Sequence, residues 1–81
     1  MKNKVLITGG AGYIGSILTP ILLQNNYQVT VLDNFMYNQN SLLDICNNSD
    51  LQIIVGDVRD VTLLKREINN HDIIIPLAAI V

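Results

Sequence analysis

The chain has 81 residues, of which 49% are hydrophobic and 15% charged, and its formal charge is −2. A chain of this length forms at most one small domain, and its hydrophobic content is too high for a disordered segment. It has no basic run, which argues against binding to nucleic acid or to an anionic membrane surface. The single cysteine, Cys46, excludes a disulfide within the chain and is expected to pack as a small hydrophobic residue.

The start of the chain does not fit a secretion signal. The apolar run after Lys4 is only Val5–Ile7, shorter than the roughly 7–15 residues of a signal hydrophobic region. No stretch reaches the roughly 18 apolar residues of a membrane span. The sequence therefore predicts a cytoplasmic protein.

The first third of the chain predicts a strand, a helix and a second strand. Lys4–Thr8 has the near-continuous apolar character of a parallel strand covered on both faces. A helix is predicted over Tyr13–Gln24, with Pro20 expected to bend or loosen it, and a strand over Gln28–Asp33. Five apolar residues of the helix form one stripe that is expected to face the sheet. They are Ile14, Ile17, Leu18, Ile21 and Leu22.

The rest of the chain continues this alternation after a polar loop at residues 34–40. The predicted elements are a short helix over 41–47 with Ser41 or Asn40 as N-cap, a strand over 52–56, a helix over 61–69 with Asp60 as N-cap, and a strand over 72–75. Strands separated by helices pair in parallel through right-handed crossovers. The predicted fold class is therefore α/β, the first β-α-β-α-β-α-β portion of a Rossmann-type doubly wound parallel sheet.

The chain ends inside an apolar run, Leu77–Val81. A sheet that stopped there would expose a hydrophobic edge strand, which is an aggregation hazard. We therefore expect these residues to begin a longer protein, or another chain to cover this edge.

Four glycines follow the first strand within TGGAGYIGS, residues 8–16. Gly10, Gly12 and Gly15 match the G-x-G-x-x-G spacing, and Gly9, Gly12 and Gly15 are spaced three apart. The motif follows a strand and opens a helix, which is the context in which it binds a dinucleotide. The first glycine permits the turn, Gly12 admits the pyrophosphate, and Gly15 lets the helix pack on the strand. The alternative is a tight turn without a ligand.

Two carboxylates follow neighbouring strands at the same edge. Asp33 can accept both hydroxyls of an adenosine ribose, and no lysine or arginine adjoins it, which favours NAD over NADP. The alternative for Asp33 is a solvated turn residue. Asp57 can accept from an exocyclic amine while the Val58 backbone reads the purine edge. Pairing with Arg59 is an equally good interpretation of Asp57.

The remaining candidate residues are not expected to be catalytic. His71 lies at the opposite end of the sheet and fits a surface or capping residue. Tyr13 and Tyr37 lie near the cofactor by position, but neither has a lysine placed as its partner. We predict no metal site and no catalytic residue within these 81 residues.

Four motifs in order make the chain resemble the extended short-chain dehydrogenase/reductase superfamily, in particular the NAD-dependent nucleotide-sugar epimerases and dehydratases. They are TGGAGYIGS at 8–16, LDN at 32–34, GDVRD at 56–60 and LAA at 77–79. The segments DNFMYNQNSLLDIC (33–46) and IIIPLAAIV (73–81) look like a bacterial subgroup that acts on sugar nucleotides for surface polysaccharides, GDP-heptose dehydrogenases among them.

The resemblance implies an NAD site. In the family the glycine turn holds the pyrophosphate, the acidic residue after the second strand binds the ribose, the GDVRD segment contacts the adenine, and the LAA segment lies beneath the cofactor. The implied cofactor-binding residues are Gly9, Gly12, Tyr13, Ile14, Gly15, Asp33, Asn34, Phe35, Asp57, Val58, Leu77, Ala78 and Ala79.

Two departures from the family pattern limit what the chain can do. Pro76 replaces the histidine that precedes Leu-Ala-Ala in many relatives, which weakens assignment to the galactose epimerases. The catalytic Tyr-x-x-x-Lys, its Ser/Thr partner and the sugar-nucleotide domain lie downstream in the family and are absent here.

The resemblance thus implies that residues 1–81 are the NAD-binding portion of an epimerase, dehydratase or C4-dehydrogenase that acts on a nucleotide sugar and forms a homodimer at full length. The alternatives are a non-catalytic NAD-binding module, for redox sensing or interaction, and a purely structural α/β domain.

Overall fold

The computed structural model describes residues 3–9, 13–33, 48–57 and 59–77. Its elements in chain order are β1 (Lys4–Thr8), α1 (Tyr13–Gln24), β2 (Gln28–Asp33), β3 (Leu51–Val55), α2 (Val61–Asn69) and β4 (Ile73–Pro76). Four of these elements have the predicted bounds, whereas β3 lies one residue earlier and β4 one residue later. The predicted helix over 41–47, its N-cap and Cys46 lie outside the described residues.

The four strands form one parallel sheet in the order β3-β2-β1-β4. Val5 of β1 pairs with Val29 of β2 and with Ile73 of β4, and Val29 also pairs with Leu51 of β3. The chain thus builds the sheet outward from β1 to β3 and then returns to the other side of β1. This doubly wound arrangement confirms the predicted α/β class.

The parallel pairing gives the sheet two distinct edges. At the carboxyl edge the described strands end, and at the amino edge they begin. Asp72 closes the amino edge beside β4, because its backbone N–H donates to the Lys4 carbonyl at 2.8 Å and its carboxylate accepts from the Lys4 N–H at 2.9 Å. These bonds explain why Asp72 precedes the strand instead of belonging to it.

The core lies around the two central strands, β1 and β2. Their buried hydrophobic residues are 0–1% exposed, and burial of each such side chain contributes about 1.5–3 kcal/mol. They are Val5, Leu6, Ile7, Val29, Val31 and Leu32. Successive residues of a strand point to opposite faces, so this unbroken burial shows that both faces of the sheet centre are covered, as predicted for β1.

The face that α1 turns to the sheet differs from the prediction. Thr19 is fully buried and Leu23 is 9% exposed, whereas Ile14, Ile17 and Ile21 are 61%, 49% and 48% exposed. The predicted stripe is therefore wrong for its three isoleucines, whereas Leu18 and Leu22 pack against the core as predicted. The buried line runs instead through Gly15, which has no side chain to hold the helix away from the sheet. Successive residues of a helix are rotated by about 100° about its axis. When Gly15 faces the sheet, Ile14 is therefore turned away from the sheet.

The end of α1 and the start of α2 are each closed by identifiable hydrogen bonds. After α1, Asn26 has φ 67°, its N–H donates to the Leu23 carbonyl at 3.2 Å, and the Tyr27 N–H donates to the Leu22 carbonyl at 3.1 Å. This is a Schellman motif. At the start of α2 the Asp60 carboxylate accepts from the Leu63 N–H at 3.2 Å, which confirms the predicted N-cap.

His71 joins the last turn of α2 to the sheet. Its Nδ1 lies 2.6 Å from the Glu67 carbonyl oxygen and its Nε2 lies 2.8 Å from Thr30 Oγ1. A carbonyl only accepts, so Nδ1 carries the proton and, in the neutral ring, Nε2 accepts from the threonine hydroxyl. The capping role predicted for His71 is confirmed.

Among the described residues, no helix is long and apolar enough to cross a membrane.

Candidate cofactor site at the carboxyl edge

Backbone hydrogen bonds bring the chain segments that leave β1, β3 and β4 together at the carboxyl edge. The Gly9 N–H donates to the Leu32 carbonyl at 2.8 Å, and the Leu77 N–H donates to the Thr8 carbonyl at 2.8 Å. On the other side of β2, the Gly56 N–H donates to the Asp33 carbonyl at 3.0 Å. The predicted residues Gly9, Asp33, Asp57 and Leu77 therefore follow or end strands at one edge, where open α/β sheets bind ligands.

The turn after β1 requires glycine at its first position. Gly9 has φ 78°, a left-handed backbone conformation that residues with a Cβ rarely adopt. The turn leads into α1, whose first turn carries no acidic residue. No carboxylate of that turn therefore opposes an incoming anion at the positive end of the helix dipole.

Asp33 supplies a carboxylate at the end of β2. The residue is half-buried, and its position in the ladder is fixed by pairing with Val55. A carboxylate there accepts hydroxyl hydrogens, which is the chemistry that a ribose requires. The left-handed glycine, the amino end of α1 and this carboxylate have the chemistry that the pyrophosphate and ribose of a dinucleotide require.

Asp57 and Arg59 form a tight local pair beside this edge. Asp57 Oδ1 accepts from the Arg59 backbone N–H at 2.8 Å and from Arg59 Nε at 3.1 Å, and Oδ2 accepts from Nη2 at 2.9 Å. The hydrogen bonds from Arg59 lower the pKa of the Asp57 carboxyl, and those to Asp57 raise the pKa of Arg59. The pairing interpretation of Asp57 is thus confirmed, and its contact with adenine stays a prediction.

Gly56 has a packing role that the sequence motif did not reveal. A Cβ at this position would lie 2.6 Å from Leu63 Cδ2 and 3.3 Å from Leu32 Cδ1. Leu63 belongs to the first turn of α2, so the missing side chain lets α2 approach the end of β3. A glycine directly after a strand and shortly before an N-cap is the signal that could have indicated this close approach.

A concave region lies at the amino edge, and its lining contains none of the predicted cofactor residues. This cavity of about 380 Å³ is lined by residues that include Lys4, Gln28, Glu67, Asn70 and His71. It lacks both a glycine turn and the amino end of a helix, which are the features that bind phosphates. Geometry therefore favours the carboxyl edge as the dinucleotide site.

Several predicted site residues lie outside the described residues. They are Gly12, Asn34, Phe35, Val58, Ala78 and Ala79, together with the side chain of Tyr13. Ile14 is described and is exposed in the first turn of α1. Among the described residues, no group of three or more histidine, cysteine, aspartate or glutamate side chains could hold a metal ion.

Comparison with known proteins decides the family. The model of the NAD dependent epimerase/dehydratase family matches residues 5–81. The chain belongs to this family. The predicted resemblance to the NAD-dependent nucleotide-sugar epimerases and dehydratases is thus confirmed, and NAD is the cofactor on which the family depends.

Individual members of the epimerase/dehydratase family align with most of the chain. It is 39% identical to a UDP-N-acetyl-alpha-D-glucosaminuronate decarboxylase of Bacillus cytotoxicus over 80 residues, which are 99% of the chain and 25% of the relative. It is 41% identical to a UDP-glucose 4-epimerase of Corynebacterium glutamicum over 58 residues, 72% of the chain and 16% of the relative.

A solved relative shows the same fold with the cofactor bound. The dTDP-glucose 4,6-dehydratase of Bacillus anthracis str. Ames, in complex with NAD, superposes with a TM-score of 0.84 at 28% identity. The alignment covers 96% of the chain and 27% of the dehydratase. The chain thus spans about a quarter or less of the length of these relatives.

Proposed function

We propose that residues 1–81 form the NAD-binding portion of an enzyme that converts a nucleotide sugar, as an epimerase, a dehydratase or a C4-dehydrogenase. The observation that carries this proposal is the meeting of three features at one sheet edge: the left-handed Gly9, the amino end of α1 and the Asp33 carboxylate. Relatives named as a decarboxylase, an epimerase and a dehydratase of nucleotide sugars support the substrate class.

Each part of the edge has a proposed task. The turn from Gly9 through Gly12 and the first turn of α1 bind the pyrophosphate through backbone N–H groups. Asp33 accepts the ribose hydroxyls, with Asn34 and Phe35 beside it. Asp57 and Val58 contact the adenine, and residues 77–79 lie beneath the cofactor. Bound NAD supplies a reversible hydride acceptor to the sugar, and the residues of this chain bind and orient it.

The catalytic and sugar-binding residues are proposed to lie in a longer protein that contains this chain. The 81 residues contain no Tyr-x-x-x-Lys. A role in bacterial surface-polysaccharide synthesis rests on the resemblance of residues 33–46 and 73–81 to that subgroup. A homodimeric, cytoplasmic enzyme is the corresponding expectation for the full-length protein.

The first experiment measures the intact mass of the full-length protein and the small molecules that it releases on denaturation. We expect a mass several times 9.0 kDa and released NAD. The same protein is then incubated with UDP-, dTDP- and GDP-linked sugars, and the products are separated by chromatography. Conversion of one of them supports the enzyme, whereas NAD without any conversion favours the non-catalytic NAD-binding module.

Replacement of Asp33 tests the cofactor site directly. Asp33→Ala removes the proposed acceptor of the ribose hydroxyls, so we expect the dissociation constant for NAD to rise about tenfold or more, with a smaller effect on NADP. Isothermal titration calorimetry measures both constants. Asp50→Ala is the matched control, because Asp50 is also half-buried but precedes β3 at the amino edge. Equal NAD affinity in the wild type and Asp33→Ala would show that Asp33 does not hold the ribose, and no NAD binding by either protein would favour the purely structural domain.

A further inference from the structure

The Asp57–Arg59 pair uses most of the hydrogen-bonding capacity of its carboxylate. A carboxylate has about four lone-pair sites, two on each oxygen. Arg59 Nε and Nη2 approach the two oxygens as a fork, at 3.1 Å to Oδ1 and 2.9 Å to Oδ2. The Arg59 backbone N–H takes a second site on Oδ1 at 2.8 Å. Nε also lies 3.2 Å from Oδ2, so three N–H donors share the four acceptor sites and leave capacity for one further donor.

The pair also fixes the direction of the carboxylate. The backbone bond closes a turn two residues long, and the guanidinium holds the carboxylate plane from its other side, with Nε also 3.2 Å from Oδ2. Such bidentate pairs constrain geometry as well as charge. The side chain of Arg59 is 72% exposed and that of Asp57 is 45% exposed. Exposed ion pairs contribute little to folding, so the order imposed on Asp57 calls for an explanation other than stability.

We propose that Arg59 is a positioning residue, which orients Asp57 so that the remaining acceptor capacity of its carboxylate receives the exocyclic amine of the cofactor's adenine. This inference rests on the proposed NAD site. It makes Arg59 a determinant of base specificity, although its own side chain need not touch the cofactor. Hypoxanthine carries a carbonyl oxygen in place of the amine, so it presents an acceptor to an acceptor and is rejected.

The test compares NAD with nicotinamide hypoxanthine dinucleotide in the full-length protein. Isothermal titration calorimetry gives the dissociation constant of each, and their ratio measures discrimination at the amine. We expect the wild type to prefer NAD by about tenfold or more, since a hydrogen bond to a charged group is lost with the analogue. In Arg59→Gln we expect the preference to fall about three- to tenfold, mainly through weaker binding of NAD.

A second variant separates geometry from charge. Arg59→Lys keeps the positive charge but cannot form the fork, so the inference requires it to lose discrimination as Arg59→Gln does. Arg66→Gln is the matched control, because this exposed arginine bonds to Glu67 on α2 and is expected to leave the ratio unchanged. Thermal unfolding curves confirm that the variants are folded.

Each of the other possible outcomes overturns a specific part of the proposal. If the wild type binds no NAD, the proposed function fails. If the wild type binds NAD without preference over the hypoxanthine analogue, the contact of Asp57 with the adenine amine is overturned together with the role of Arg59, whereas the NAD site stands. If Arg59→Gln keeps the full preference, only the role of Arg59 is overturned. The same holds if Arg59→Lys retains discrimination, or if both dinucleotides weaken equally.

Discussion

Thr19 carries a buried polar atom without a partner. Its side chain is fully buried on the sheet side of α1, and among the described residues its Oγ1 has no hydrogen-bond partner. A buried hydroxyl that loses its bonds to water costs about 1–3 kcal/mol. Valine has nearly the same shape without the hydroxyl, so we expect Thr19→Val to raise the free energy of unfolding by about 1 kcal/mol in urea denaturation.

Thr30 provides a matched control for this experiment. It is 5% exposed, and its Oγ1 is hydrogen-bonded to His71 Nε2. Thr30→Val therefore removes the partner of a half-buried ring nitrogen and should lower the free energy of unfolding by about 1 kcal/mol. Equal destabilisation by Thr19→Val and Thr30→Val would show that the Thr19 hydroxyl is satisfied after all.

Residue roles set by nearby sequence could be predicted, and those set by distant contacts could not. The N-cap bond of Asp60 reaches only three positions along the chain, and the pairing of Asp57 with Arg59 spans only two positions. The bond from His71 to Thr30 spans 41 positions, so it depends on how α2 lies against β2. The burial of Thr19 likewise depends on which face of α1 meets the sheet.

The end of α1 depends on Asn26 in a left-handed conformation. Asparagine tolerates φ 67° better than residues with larger aliphatic side chains, and glycine adopts it without a steric penalty. We expect Asn26→Ala to lower the free energy of unfolding by about 1 kcal/mol, and Asn26→Gly to leave it within about 0.5 kcal/mol of the wild type. Urea denaturation of both variants provides the measurement, and a better-tolerated alanine would contradict the left-handed cap.

Periodicity located the elements but not their orientation. The alternation of apolar and polar residues gave the bounds of α1 and α2, because the 3.6-residue period is local. It assigned too wide a face to α1, since Leu18 and Leu22 pack against the core whereas the three isoleucines are exposed. The small Gly15 and Thr19 approach the sheet instead. The one-residue shifts of β3 and β4 have a similar origin, because strand ends are set by ladder partners.

At the scale of the whole molecule, the topology of the sheet could be predicted from the sequence. Alternating strands and helices leave few parallel arrangements once crossovers are right-handed, and the glycine motif indicates which edge binds the cofactor. The sequence therefore predicts that the cofactor binds at the carboxyl edge. The sugar could not be predicted, because the motifs of this chain indicate a dinucleotide site and carry no feature specific to a sugar.

The outer surface of α1 leads to a prediction about association. Ile14, Ile17 and Ile21 share one face of the helix and are each about half exposed, in a chain where only 15% of residues are charged. Exposed apolar patches promote association. We expect the 81-residue chain to self-associate in sedimentation velocity, and the double substitution Ile17→Lys with Ile21→Lys to shift it towards monomer. Val61→Lys, at an equally exposed position on α2, is the control and should not shift it. A monomeric wild type at high micromolar concentration would show that this face does not drive contact between copies.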